Sequence, residues 1–506
     1  MEYHNPILSG FHPDPSICRG EDRYYLVTSS FEFFPGLPLY ESFDLVHWQP
    51  IGHCITRKEQ MTFTDRMPNA LGLYAPTIRH IDGRYYVICT NVGTTAHGPG
   101  NFFVWADDPQ GPWSAPIWLD LPGIDPSLLQ DEQHRVWYCG ADQGIYLCQL
   151  NLADGSHGPR IDIWTGTGGA DPEGPHLYLK DNWYYLMIAE GGTGYGHMVT
   201  MARSRDITGP YEACPNNPVL TNRSLPLSIQ GTGHADLIED ENGNWWAVCL
   251  GIRPLEEFPK RHLLGRETFL VPVVWEADWP KFGVNGSVLP VMEGPLPGKP
   301  TEESLRPVFA KFTENFLEAP LTAIWNTLFR PCEKHIFLTK SGLALLSSEH
   351  ISPTMETWIG HRLQHLPFTA EAVFDTSETL AGVTFGMTLY LNPTHRYDVI
   401  GKKTANGCLI KVLGQLGLFQ HSEEFFEVVG NLVTLRLTGD TKKVTFFAQD
   451  QSGNWQSLTK LPIHYLTTET GGIFTGPYIG LFAKDKSSKE NRVYCQSYQY
   501  EGSFVF

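Results

Sequence analysis

The stretch DPSICRGEDRYYLVTSS, residues 14–30, recurs in altered form four more times. The other copies are APTIRHIDGRYYVICTN at 75–91, DPSLLQDEQHRVWYCGA at 125–141, EGPHLYLKDNWYYLMIAE at 173–190 and HADLIEDENGNWWAVCLG at 234–251. Each copy is a short motif running into an apolar stretch, then a polar turn, then an aromatic pair and a second apolar run. That pattern reads as two short strands joined by a hairpin, with turn residues such as Asp82-Gly83 or Asn242-Gly243 between them.

The copies start 61, 50, 48 and 61 residues apart. A second phrase recurs between them, as SFDLVHW at 42–48, ADDPQGPW at 106–113, LADGSHGP at 152–159 and SRDITGPY at 204–211. Repeats of this length with about four strands each are the signature of propeller blades. The expected fold is all-β, with a five-bladed β-propeller over residues 1–291.

In a propeller the innermost strand of every blade lines the central channel, so one offset in each repeat comes to one axial site. Here that offset reads Asp14, Ala75, Asp125, the Glu173-Gly174 step and His234. Three carboxylates and a histidine are thereby expected to converge from far apart in sequence. An Asp before Pro also serves as a plain turn residue at a strand start. A turn requirement alone, however, would repeat the same residue, whereas this offset varies.

Clustered carboxylates without a GxSxG elbow, an HExxH or a P-loop point to acid/base work on an acetal. Glycoside hydrolysis needs one carboxylic acid to protonate the leaving oxygen and one carboxylate to activate water or attack carbon. A third acid nearby raises the pKa of the proton donor by its charge, and Asp125 is the candidate beside Glu173. Aromatic residues crowd the same motifs, in SSFEFFPG at 29–36 and LGLYAP at 71–76. Phe31 and Tyr74 are the candidates for stacking on a sugar face, with propeller packing as the alternative and the preferred reading for Phe33 and Phe34. His234 in GTGHAD reads as a structural hydrogen-bonding residue, a substrate contact, or an indirect ligand of a central cation. Arg266 in LGRETFLVPV either grips sugar hydroxyls and carboxylates or forms a structural ion pair.

Composition narrows the partners. A net charge of -18 repels nucleic acid and anionic lipid, so a neutral or cationic substrate is expected. The opening MEYHNPILSG has no basic or apolar leader pattern, and no apolar run reaches the roughly 20 residues that span a bilayer. The expected location is the cytoplasm, without membrane association. Ten scattered cysteines, with no CxxC pair, read as buried reduced thiols.

FHPDPSI, FFPG, YAPTIR, GIDPSL, PEGPH, GTGHAD and GRETF, in that order, resemble glycoside hydrolase family 43 over essentially the whole chain. The closest resemblance is to its two-domain β-xylosidase and α-L-arabinofuranosidase members. It implies an inverting exo-enzyme on short oligosaccharides, with Asp14 as general base, Asp125 as pKa modulator and Glu173 as general acid. It also implies a substrate contact from Arg266, no required cofactor, and an axial calcium ion near His234 in some members. A homo-oligomer is compatible with the resemblance. One departure concerns specificity: many β-xylosidases of this group carry Trp where this chain has Tyr74.

MEGPLPGKPTEESLRP at 292–307 is rich in Pro and charge and reads as part of a linker, placed at 292–309. Beyond it, LVTLRLT at 432–438 alternates, with Val433, Leu435 and Leu437 on one face. HIFLT, AEAVFDT, VTFGMTLYL, VTFFAQD and YIGLFAKD add further strand patterns, so a β-sandwich of the concanavalin A-like type is expected over 310–506. Its segment GGIFTGPYIG at 471–480 resembles a loop that packs toward the propeller site in related enzymes, which nominates Phe474 as a closing residue.

Overall fold

Each polar turn of the five repeats sits where the chain reverses. In blades III and V one aspartate organises the whole reversal. Asp131 Oδ1 accepts the N–H groups of Gln133 and Arg135 while its Oδ2 accepts from the Trp137 indole. Asp240 does the same for Asn242, Asn244 and Trp246. An Asx carboxylate that satisfies the loop amides replaces the bonds the strands no longer supply.

A computed structural model describes residues 1–64, 67–256, 258–298, 310–329, 332–347, 356–485 and 490–503. It is nearly all β and divides into two compact units. The first comprises 1–63, 70–254 and 266–306; the second comprises 64–69, 255–265 and 307–506. Most of the linker expected at 292–309 lies outside the described residues.

The first unit contains five four-stranded antiparallel sheets. Their first strands are β1 (Ser16–Arg19), β2 (Leu73–Ile81), β3 (Ile124–Gln130), β4 (Glu173–Lys180) and β5 (Gln230–Glu239). Each abuts the first strand of the next blade, and β5 abuts β1, so the ring closes. The N-terminal segment joins this closure from outside: Ile7 and Leu8 bond to Thr268, and Asn5 bonds to Leu270, both on the third strand of blade V. The second recurrent phrase connects the third strand to the fourth. Its Asp44, Asp108, Asp154 and Asp206 accept the N–H two residues on, and the indoles of Trp48 and Trp113 cap carbonyls of their own turns.

The strand register corrects the expected offset in blade II. All four of β2 to β5 carry a bulge near their start, after which the ladder resumes at Pro76, Ser127, His176 and Asp236. Blade I begins its ladder at Ser16. Two positions earlier stand Asp14, Tyr74, Asp125, Gly174 and His234, so Tyr74 and not Ala75 shares the axial offset. Glu173 precedes it by one residue. The motifs hide this because APT aligns with DPS by its proline, whereas Pro76 pairs with Cys89 and it is Ser127, not Pro126, that pairs with Cys139.

Just past the offset, a buried network ties the blades together. Asp236 of β5 takes two bonds from Arg79 of β2, at 2.8 and 2.9 Å, and one from Ser16 of β1 at 2.6 Å. Tyr178 of β4 donates to Asp236 at 2.7 Å, and His176 of β4 meets Arg79 at 2.9 Å. Arg79 and its neighbours hold the Asp236 carboxyl far below its ordinary range despite burial, and burial holds His176 neutral, with its pKa lowered to about 3.

The second unit contains an eight-stranded and a six-stranded sheet enclosing one apolar core. Its strand Leu432–Gly439 alternates as its sequence requires, with Val433, Leu435 and Leu437 buried. Phe374, Phe385 and Phe446 from other strands fill the same core. All ten cysteines are free thiols, nine of them buried. No helix among the described residues is long and apolar enough to cross a membrane.

The axial network generates a stability prediction. Asp236→Asn leaves the Arg79 guanidinium buried against a neutral group, and breaking such a pair costs about 3–5 kcal/mol. Denaturant unfolding of the propeller should shift to clearly lower concentration in Asp236→Asn. The exposed-pair variant Lys281→Gln should unfold close to the wild-type midpoint. Equal midpoints for all three proteins would contradict a structural role for the network.

Candidate active site

Four of the five residues at the shared offset, all but Tyr74, have an unusual backbone conformation. Asp14, Asp125, Gly174 and His234 have φ of 53°, 54°, 58° and 48°. Only glycine adopts this left-handed region freely; elsewhere it costs about 1–3 kcal/mol and persists where surrounding contacts enforce it. Here it lets side chains at the start of an inner strand turn toward the axis.

Asp14, 5 % exposed, receives the Arg266 guanidinium on Oδ1 at 2.8 Å and the Ser29 hydroxyl on Oδ2. His234 Nδ1 lies 4.0 Å from the same Oδ1. Burial by itself raises the Asp14 carboxyl, but Arg266, His234 and Ser29 together outweigh it and hold the group below its ordinary value.

Glu173 meets the opposite fate. Burial, reinforced by the charge of Asp14 and opposed by Arg266, pushes its carboxyl up to about 7. Its side chain keeps 21 % exposure, so it opens onto the pocket. Asp125 accepts the Gly174 N–H on Oδ2 at 3.1 Å. Burial raises its carboxyl well above the usual range, with the charges of Glu173 and Asp14 adding. The Asp125 and Glu173 pair therefore keeps a proton near neutral pH while Asp14 stays ionised.

The remaining candidates surround these acids. Arg266 also donates to Thr193 Oγ1 at 3.0 Å, and its guanidinium lies 5.7 Å from the Phe31 ring centre. Phe31 is buried between Phe11 and Tyr74, with ring centres 5.6 and 5.2 Å away. It backs Tyr74 and Arg266 and offers little open face. Tyr74 is half-buried, and its hydroxyl donates to the Ala70 carbonyl at 3.3 Å. Its phenol feels the charges of Arg266, Asp125 and Asp14, which places it at the same pocket. Phe33 and Phe34 are buried. Phe474 belongs to the second unit, half-buried between the short helix Thr468–Gly471 and the strand Tyr478–Lys484.

The residues near His234 do not fit a directly held calcium ion. Burial keeps its imidazole neutral, but the two carboxylates that act on it, Asp14 and Asp236, are each already committed to an arginine. No group of three His, Cys, Asp or Glu side chains with metal-binding geometry occurs among the described residues. Calcium prefers six to eight oxygen ligands, and two guanidinium groups would compete with it here.

Three residues were missed from sequence. Thr193 and His197 lie in GGTGYGH, 191–197, a glycine-rich loop that belongs to none of the quoted repeats. Glu190, fully buried, accepts from the Thr167 and Gly169 amides at 3.0 and 2.9 Å and from the Thr167 and Thr200 hydroxyls. It thereby fixes the loop that leads into Glu173. The signal available was a carboxylate ending an apolar strand, YYLMIAE at 184–190.

The chain is similar to known proteins over nearly its whole length. Residues 3–280 match the model of glycosyl hydrolases family 43, and residues 313–501 match that of the beta xylosidase C-terminal concanavalin A-like domain. A non-reducing end α-L-arabinofuranosidase of Bacteroides ovatus is 40 % identical over 95 % of this chain and 91 % of its own. A xylosidase/arabinosidase of Butyrivibrio fibrisolvens is 33 % identical over 97 % of both. The solved xylan β-1,4-xylosidase of Bacillus halodurans superposes with a TM-score of 0.90 at 30 % identity, covering 98 % of this chain and 99 % of that one. With a matching propeller, a matching sandwich and full-length relatives of one kind, the chain belongs to glycoside hydrolase family 43 and is a glycoside hydrolase.

Proposed function

We propose that the chain is an inverting exo-glycosidase that releases a terminal pentose, β-linked xylose or α-linked arabinofuranose, from the non-reducing ends of short oligosaccharides. The observation that carries the reading is the opposite tuning of two carboxyls in one pocket, Asp14 below its ordinary range and Glu173 at about 7. An inverting hydrolase needs that division, an ionised base on one side of the sugar and a protonated acid on the other.

In this reading Asp14 removes a proton from water as it attacks the anomeric carbon, and Arg266 and Ser29 keep it ionised and aligned. Glu173 gives its proton to the departing glycosidic oxygen. Asp125 orients the acid through the Gly174 amide and shares the negative charge of the pocket. Arg266, through its guanidinium, and the neutral His234 bind sugar hydroxyls, and Tyr74 supplies an aromatic face. These steps use protein groups throughout. Relatives named for xylosidase and for arabinofuranosidase activity support both pentoses as substrates. Nitrophenyl β-xyloside and α-arabinofuranoside, assayed side by side, measure the balance. Turnover of neither would refute the proposal.

Asp14→Asn should lower kcat by about 10²- to 10⁴-fold on every substrate, the factor general-base catalysis contributes. Near-normal activity of this variant would contradict its role. Glu173→Gln should lose a comparable factor on a xylo-oligosaccharide and far less on a dinitrophenyl pentoside, whose leaving group needs no proton. Equal losses would count against the acid assignment.

The pH profile follows from the same two groups. Activity requires Glu173 protonated, so kcat/KM should fall as pH rises through about 7. Activity requires Asp14 ionised, so the acidic limb should lie below the ordinary aspartate range. A profile still rising at pH 8 would contradict the account.

A further inference from the structure

His197 immediately precedes the strand Met198–Ser204 and is fully buried beside the acid. Its Nδ1 lies 3.3 Å from the Gly231 carbonyl oxygen. A carbonyl only accepts, so Nδ1 carries the hydrogen and Nε2 carries a lone pair. Nε2 has no hydrogen-bond partner among the described residues, and it lies 3.9 Å from Glu173 Oε1. The ring cannot swing away. A Cβ on Gly233 would stand 2.5 Å from its atoms, so it packs flat on that glycine, and its backbone is bonded to Gly194 and Thr221 on either side.

A buried acceptor without a donor costs about 1–3 kcal/mol, and the carboxyl of Glu173, 3.9 Å away, can supply a hydrogen when protonated. We propose that His197 is a positioning residue for the acid: its Nε2 lone pair accepts the carboxyl hydrogen of resting Glu173 and yields it when a glycosidic oxygen arrives. No bond to hydrogen breaks in this step; the O–H merely changes acceptor. A rotation of the partly exposed Glu173 side chain by about 1 Å brings the pair within the 2.7–3.2 Å of an ordinary hydrogen bond. The inference rests on Glu173 being the proton donor.

The electrostatic surroundings agree. His197 faces His234, Arg266, Asp14 and Glu173, and burial first, then His234, lowers its pKa to about 3. It stays a neutral acceptor throughout the working range. Glu173 faces Asp14, Arg266, Asp171 and Asp125 in addition. A lone pair aimed at a carboxyl favours its protonated form and repels the carboxylate, so His197 adds to what burial does. Gly233 in GTGHAD is the residue that makes room for it.

The test compares wild type with His197→Phe, which keeps a flat ring without the lone pair, and His197→Gln, whose amide can donate to a carboxylate. On a xylo-oligosaccharide the basic limb of kcat/KM should move down by about one pH unit in both, a tenfold loss at pH 8. On a dinitrophenyl pentoside kcat should stay within about twofold, since that leaving group departs unprotonated. An unmoved basic limb, or equal losses on both substrates at every pH, would overturn the proposal. A second measurement needs no altered His197. In histidine-¹⁵N-labelled full-length enzyme, one imidazole should be neutral at pH 6 with hydrogen on Nδ1, and its Nε2 resonance should shift on Glu173→Gln. An imidazolium, hydrogen on Nε2, or no response to Glu173→Gln would equally overturn it. Failure of the acid assignment itself appears separately, as Glu173→Gln retaining oligosaccharide turnover.

Discussion

The whole site hangs on one buried carboxylate. Asp236 gathers Arg79 from blade II, Ser16 from blade I and Tyr178 from blade IV, while sitting itself on blade V. Removing a carboxylate from water costs several kcal/mol even after relaxation, and only a full set of donors offsets it. Here the donors come from inner strands that are remote in sequence, so the charge is satisfied only when the ring is closed. The residues two positions before this layer are Asp14, Tyr74, Asp125, Gly174 and His234. Fixing the registers of the structural layer therefore fixes the chemical layer above it.

That chemical layer separates two protonation states within one cavity. Arg266 is the asymmetric element: its guanidinium bonds to Asp14 at 2.8 Å, while Glu173 receives its field without a contact of that kind. Burial acts on both carboxyls in the same direction. What distinguishes them is which one holds the cation and the Ser29 hydroxyl, and which one faces the first one's charge. The left-handed backbone at the offset is the conformational cost of aiming these groups inward, and close-packed histidines on Gly174 and Gly233 show how little spare room remains.

Much of this was legible in the sequence, because the repeat is anchored by turn chemistry that leaves a strong local mark. Asp131, Asp240 and the aspartates of the second recurrent phrase each serve loop amides within a few residues. Ser16, Arg79, His176 and Asp236 stood inside the quoted motifs but read as flanks of the catalytic residues, since nothing local shows that they meet. The APT motif of blade II drew the offset to Ala75, because its proline aligns with those of the DPS motifs and the one-residue difference shows only in the strand pairing. His197 left no mark at all: it contributes through its one unbonded nitrogen and its packing on a glycine 36 positions later, both purely tertiary facts.

The central claim is that water, activated by Asp14, attacks the sugar while Glu173 protonates the bond being broken, with no covalent stage. Stereochemistry reports this more directly than any rate. Proton NMR of the first product formed from an aryl β-xyloside, recorded before mutarotation, should show α-xylose accumulating ahead of the β-anomer. Initial release of β-xylose would mean retention through a carboxylate nucleophile, and would contradict the account.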